Sequence, residues 1–414
     1  VIDTEIDKKI KEKCPPPNWG DIFFGWLSPL LQEKLFNMIE EYKTGYFMFL
    51  NAVRHEYGIG MEIDLEKARK LYNIAANEHN DSYALYRLYF IHNAESNKFG
   101  ITRDGNMEMY YLLKAMAFTE AAIFFNNDTL YNIDIIYQIA YHLDLEDPLL
   151  EKVNKLLTDK ENGTETRFVE AMTLIKFNMD EDDMDIGITI LNQLAEDNYL
   201  EAVYKLACLY SKPNDKYIKQ KDSEKAEKYF KILEDANYYK AFNDYGLFLY
   251  NENRLDKCLE ILKKGVENGN YRCFFLYYDC FLCKFDFFNG DIKEIVDLLE
   301  YVRRDLITGN IFSFFEYFYT TKVLRKHFGV KDLSTEYEDE FMKIIQSVYE
   351  DKTVLNNFAK GIVETEFLLS LGFINYIKKS DFPFAESLLK QSFSLSNNLS
   401  YKRFCYSYIF KIRN

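Results

Sequence analysis

Proline and glycine are scarce in this chain, 7 and 17 of 414 residues. With 48% hydrophobic residues, that scarcity argues against disorder and for long uninterrupted secondary structure. No run of eighteen apolar residues occurs, so nothing in the sequence reads as a membrane-spanning helix. Basic residues are the minority, 51 against 66 acidic, for a net charge of −15. A bare nucleic-acid or anionic-membrane binder carries the opposite sign. The charge fits protein partners with basic patches and no direct nucleic-acid contact.

Histidine is rarer still: His55, His79, His92, His142 and His327. None forms H-E-x-x-H or neighbours a Ser or Cys in a nucleophile turn. His55 falls where a first helix ends and reads as a cap or surface residue. The seven cysteines, Cys14, Cys208, Cys258, Cys273, Cys280, Cys283 and Cys405, show no recurrent pairing, which favours a reducing, cytoplasmic compartment. The endoplasmic-reticulum lumen is the alternative. It would need use of the sequons at Asn127, Asn162 and Asn398 and a removed leader, since VIDTEIDKKIKEK lacks the apolar stretch of a secretory signal.

What is abundant is aromatic: 33 Tyr and 35 Phe, 17% of the chain with Trp. Codon usage rich in Phe, Tyr, Asn, Ile and Lys would give the same skew. The residues are also ordered by a repeat. The small residues Ala171, Ala202, Ala241, Cys273 and Ser313 lie 31, 39, 32 and 40 positions apart, about one helix hairpin each. Asn198, Asn237, Gly269 and Gly309 stand four places before the last four, and Asn80 stands so before Ala84. Asn and Gly most readily take the left-handed conformation that ends a helix, so each marks a stop. Between stops the spacing is helical, as in Ala226, Phe230, Leu233 and Ala236. Asp64 and Asp222 read as N-caps, and Asp147-Pro148 as a cap with proline at the first helical position. No stretch sustains a strand-like alternation.

The segment YGIGMEIDLEKARKLYNIAANEHNDSYA resembles the Sel1-like (SLR) repeat, a branch of the tetratricopeptide-type solenoids. Gly58, Gly60, Asp64, Lys67, Ala68, Leu71, Tyr72, Ala75 and Ala76 carry the pattern, with Met61 in place of Val. Asp222, Lys225, Ala226, Tyr229 and Phe230 repeat its centre, and Lys257, Cys258, Ile261 and Leu262 do so more faintly. The resemblance implies an all-α, right-handed superhelical solenoid with a concave groove, of about nine hairpins across residues 45–396. The clearest hairpins are 46–79, 81–118, 199–236, 238–268 and 270–308. Residues 1–44 then form an N-terminal extension and cap, 45–160 and 161–396 two groups of hairpins, and 397–414 a capping helix. The turn Glu161-Asn162-Gly163-Thr164 is a candidate joint between the groups, after helices at 130–144 and 147–159.

No constellation reads as catalytic, and no cofactor or metal is expected. Cys280-Phe281-Leu282-Cys283 is a C-x-x-C without the second ligand pair that a structural zinc needs, in apolar surroundings unlike a redox pair. Both cysteines are expected to be buried and reduced. The acidic run Asp180-Glu181-Asp182-Asp183-Met184-Asp185 suits a helix start, with Asp183 or Asp185 as the cap. Cys14-Pro15-Pro16-Pro17-Asn18 is an extended lead-in to Trp19 and Trp26. These cap the first hairpin or, alternatively, dock another chain. The candidate partner surface comprises Phe275, Tyr278, Phe281, Phe314, Phe315 and Tyr317 with Trp19 and Trp26. Tyr278 and Tyr317 are the members expected to be exposed. The leading function is a non-enzymatic adaptor or scaffold that binds proteins through the concave surface, as a subunit of a larger assembly. The resemblance adds a subunit of an endoplasmic-reticulum ubiquitin-ligase complex as an alternative. An all-α enzyme with a dispersed site is the third reading.

Overall fold

The computed structural model describes residues 18–25, 27–93, 97–118, 163–177, 181–211, 222–285, 290–308, 317, 320–321, 324–325, 328–330, 372 and 382–395. Among these residues every regular element is a helix. After a short turn of π-helix at Asp21–Gly25 come α1 (Pro29–Glu41), α2 (Gly45–Tyr57), α3 (Leu65–Asn77), α4 (Ser82–His92) and α5 (Gly105–Phe118). Then follow α6 (Gly163–Phe177), α7 (Glu181–Glu196), α8 (Leu200–Ser211), α9 (Ser223–Asp235), α10 (Phe242–Asn251) and α11 (Leu255–Glu267). The series ends with α12 (Cys273–Lys284), α13 (Ile292–Ile307) and α14 (Phe382–Leu395). The expected helices at 130–144 and 147–159, the cap at Asp147-Pro148 and the final helix after 397 lie outside the described residues. The chain is an all-α solenoid of helix hairpins. It divides into two compact units, the first formed by described residues within 1–22, 38–120 and 132–280, the second by those within 23–37 and 281–414.

In the first unit the hairpins α2/α3, α4/α5, α6/α7, α8/α9 and α10/α11 each pair antiparallel neighbours, and α3 packs on α4, α5 on α6 and α7 on α8. The stops work as the residue types dictate. Asn80, Asn198, Asn237 and Gly269 have φ of 48°, 60°, 51° and 74°. After Asn198, Asn237 and Gly269 the next amide reaches back five residues: Tyr199 N to Leu194 O, Tyr238 N to Leu233 O and Asn270 N to Gly265 O, at 2.8–2.9 Å. Carbonyls left over at three helix ends are thereby satisfied in the same way. Asn253 (φ 58°) does the same between α10 and α11, Arg254 N reaching Leu249 O. Two starts are capped as expected: Asp64 accepts from Lys67 N at 2.9 Å and Asp222 from Lys225 N at 3.0 Å. The acidic run departs from expectation. Helix α7 already begins at Glu181, so Asp183 and Asp185 lie within it and neither is the cap.

The repeat's small residues Ala171, Ala202, Ala241 and Cys273 are each fully buried, where their size permits close helix approach. The tightest approaches use glycine. A Cβ at Gly246 would stand 2.4 Å from Leu262 Cδ2, and one at Gly265 2.4 Å from Cys273 Sγ. Trp19 is fully buried, edge-on to Phe49, Tyr83 and Tyr86, with its amide donated to Tyr57 Oη at 3.3 Å. This ring covers apolar surface of α2 and α4. Trp26 lies outside the described residues.

The interiors of these hairpins are not wholly apolar. Glu56 of α2 is buried and accepts from Tyr72 Oη of α3 at 2.8 Å and from Arg87 Nε of α4 at 3.0 Å, with Lys98 also bonded to it. Burial pushes the Glu56 carboxyl up, but the charge and bonds of Arg87 and Lys98 outweigh it and hold the group below its ordinary value. His55, read as a cap or surface residue, is buried at the end of α2, where its carbonyl accepts from Asp64 N at 2.8 Å. Burial lowers its pKa. Further along, Asn93 bonds Glu108, and buried Lys114 of α5 pairs with Glu165 of α6 at 3.1 Å.

In the second unit α13 is capped by Asp291, which accepts from Lys293 N at 2.9 Å. Tyr317 lies under the Arg303 guanidinium, 5.5 Å from its carbon to the ring centroid, and receives a 3.3 Å bond from Arg303 Nε.

Candidate functional site: the converging helix starts

The hairpins α4/α5, α8/α9 and α10/α11 begin just after a left-handed stop, and their beginnings lie together with those of α2 and α12. Tyr46, in the first turn of α2, stacks on Tyr271, just before α12, with centroids 4.1 Å apart. Tyr42 lies 6.2 Å from the Phe274 ring. A Cβ at Gly269 would stand 2.5 Å from Tyr42 Cδ1, and one at Gly45 2.7 Å from His79 Cβ. The unit therefore curls tightly enough that its first hairpin touches the start of α12, more than two hundred residues later. A small superhelical rotation per hairpin accumulates to this closure.

Polar groups fill the junction. Glu201, at the start of α8, receives Asn80 Nδ2 at 3.2 Å and Lys240 Nζ at 3.3 Å. His79 Nδ1 lies 3.5 Å from Tyr239 Oη. Asn270 Nδ2 donates to Tyr239 O at 2.9 Å. Beside them Tyr204 Oη donates to Asp244 Oδ2 at 2.6 Å, and Arg272 approaches the same oxygen at 3.4 Å. Burial raises the Glu201 carboxyl, but the Lys240 charge and the bonds from Tyr238 and Asn80 outweigh it and hold it ionised. Burial, with Lys240 adding to it, keeps His79 below its ordinary value, and burial raises Tyr239. Each carboxylate thus has its cation in place and the imidazole is held neutral. This arrangement locks turns together; it does not poise an acid against a base.

The aromatic candidates distribute unevenly. Tyr278, expected to be exposed, is only 1% exposed. At 100° per residue it falls within about 40° of Phe274, on the buried arc of α12. Tyr317, also expected to be exposed, is fully buried, held against α13 by Arg303. Phe275 and Phe281 keep partial exposure, and Phe314 and Phe315 lie outside the described residues. Cys280 is buried as expected, whereas Cys283, at the end of α12, is exposed. Sequence reasoning missed the junction itself: Glu201, Lys240, Asp244 and Arg272 look like ordinary surface charges in a one-dimensional pattern.

Among the described residues no cluster of three or more His, Cys, Asp or Glu is placed to hold a metal, and no helix is long and apolar enough to cross a membrane. No family model and no curated protein matches the sequence. Solved structures similar to it include two repeat proteins. One is a protective antigen present in uropathogenic Escherichia coli strains displaying an SLR fold, at 14% identity and TM-score 0.38, covering 87% of this chain and 78% of that one. The other is a Sel1 repeat protein from Oxalobacter formigenes, at 13% identity and TM-score 0.29, covering 95% of each.

Proposed function

We propose that this chain is a non-enzymatic adaptor that binds other proteins as a subunit of a larger assembly. The observation that carries this reading is the disposition of its charged groups. Buried Glu56 and Glu201 and half-buried Glu165 and Asp244 are each paired across helices, so they serve as fastenings within the array and not as reagents. The acidic excess outside those pairs favours partners with basic patches. Phe275 of α12, partly exposed amid an aromatic helix, is the residue proposed for the contact, since large rings anchor interfaces out of proportion to their number.

The test is recovery of the tagged full chain from its own cells at two salt concentrations, followed by sizing and mass spectrometry. A stoichiometric partner, retained less at higher salt and less by Phe275→Ser of unchanged melting midpoint, is expected. A chain that elutes alone at monomer size would refute the adaptor reading. Undiminished capture by Phe275→Ser would move the contact elsewhere.

A further inference from the structure

The C-x-x-C spacing draws attention to Cys280 and Cys283, yet the fold separates their environments and gives Cys280 a different neighbour. Cys280 on α12 is fully buried and Cys283 is exposed. The Cys280 thiol lies 3.7 Å from Leu255 O, in the first turn of α11. Cys258 follows Leu255 by three residues, on the same side of that helix. It too is fully buried, its thiol 3.2 Å from Gly246 O and interacting with that of Cys280. Two buried thiols, 22 positions apart in sequence, are therefore brought to the same turn of α11 from two successive helices.

We propose that Cys258 and Cys280 are an oxidisable pair that hydrogen peroxide converts into a disulfide joining α11 to α12. In the first step the sulfur of one cysteine, giving up its proton, attacks a peroxide oxygen. The O–O bond breaks, one water leaves, and a sulfenic acid remains. The sulfur of the second cysteine then attacks the sulfenic sulfur, the S–O bond breaks, and a second water departs with the remaining proton. Two thiols and one peroxide give one disulfide and two waters. The two sulfurs must close to about 2.0 Å for the bond to form.

The bond from Cys280, together with burial, holds the Cys258 thiol well above its ordinary pKa, so little thiolate is present at neutral pH. Reaction is slow, and bulky disulfide reagents are excluded by burial. The pair is accordingly a latent staple, formed under sustained exposure to a small oxidant. Exposed Cys283 is the competitor that the sequence spacing nominates.

The experiment exposes the folded full chain, as wild type and as Cys283→Ser, to graded hydrogen peroxide. Remaining thiols are alkylated after denaturation, and unreduced digests are mapped by mass spectrometry. The expected product in both proteins is a single Cys258–Cys280 cross-linked peptide with loss of two hydrogen atoms, absent from Cys258→Ala. The oxidised Cys283→Ser protein should melt higher by roughly 5 °C, reversed by a reductant. A Cys280–Cys283 cross-link in the wild type, or full alkylation of Cys258 and Cys280 while Cys283 alone is oxidised, would overturn the assignment. A cross-link that leaves the midpoint unchanged or lower would overturn its role as a staple.

Discussion

Replacing Arg87 by Met removes the bidentate partner of Glu56 and leaves a carboxylate on which burial acts almost unopposed. Both side chains are fully buried in the wild type. Lys98, the remaining cation, is 40% exposed and compensates only in part. Breaking a buried pair from one side costs about 3–5 kcal/mol, a large fraction of a domain's stability. With a urea slope near 3 kcal/mol/M, the midpoint should fall by about 1 M or more. Trp19 packs on Phe49, Tyr83 and Tyr86, so its fluorescence in a Trp26→Phe background reports this region. The pH dependence adds a signature. In the wild type Glu56 lies below its ordinary value, so it contributes stability above the unfolded carboxyl pKa and loses it as pH falls through the lowered folded value. In Arg87→Met the folded value moves above the unfolded one, so the penalty is full at neutral pH and disappears as pH falls below the unfolded value. The gap between wild type and variant must therefore narrow from pH 7 toward pH 4.5. Adding Glu56→Gln should recover most of the loss at pH 7, since the amide oxygen still accepts from Tyr72. A loss under about 1 kcal/mol, a gap that does not narrow, or a double variant no better than the single would refute the reasoning.

At the stops, Asn198→Gly and Asn237→Gly should leave the melting midpoint unchanged or slightly higher, while Val at either site should cost about 1–2 kcal/mol, because a β-branched residue is strained at positive φ. Equal midpoints for the Gly and Val variants would contradict the role given to φ. At one close helix approach, Gly265→Ala should destabilise by about 1–3 kcal/mol through overpacking against Cys273, and Cys273→Ala should relieve it. Strictly additive losses in that double-mutant cycle would show that the clash is absent.

How far the sequence reveals this molecule depends on the range over which each cause acts. Asn198, Asn237 and Gly269 announce themselves because only a few residue types tolerate positive φ, and the decision is local. Asp64 and Asp222 are legible because a cap needs one side chain and an amide three residues on. Asn253 obeys the same physics but lies inside a hairpin, where the spacing of small residues gives no warning. The stacking of Tyr46 on Tyr271 is illegible for a different reason: it results from rotations summed over many hairpins. The same limit misplaces Tyr278. Periodicity orients α12 relative to itself, but which arc of the helix is covered depends on what the chain brings beside it. For Cys280 a sequence motif offers Cys283 as its neighbour, whereas helix packing supplies Cys258.

A degenerate repeat array faces a problem of identity, since hairpins of similar length and apolar face can stack in more than one order or register. Apolar contact cannot solve it, being non-directional. The buried and half-buried polar groups can, because the sets described in the first unit differ from one contact to the next. Glu56, Tyr72 and Arg87 fasten the first hairpin to the second, and Lys114 and Glu165 fasten α5 to α6. Tyr204 and Arg272 meet at Asp244, and Glu201 gathers Asn80 and Lys240 at the junction of helix starts. A hairpin displaced to another neighbour would bring a buried charge against the wrong partner, at a cost of several kcal/mol. Such pairs add little net stability over well-packed apolar residues, so their presence is explained better by the exclusion of wrong stackings than by strength. On this argument the same side chains that look like a polar site from their chemistry are the means by which hairpins of similar length and apolar face find their places.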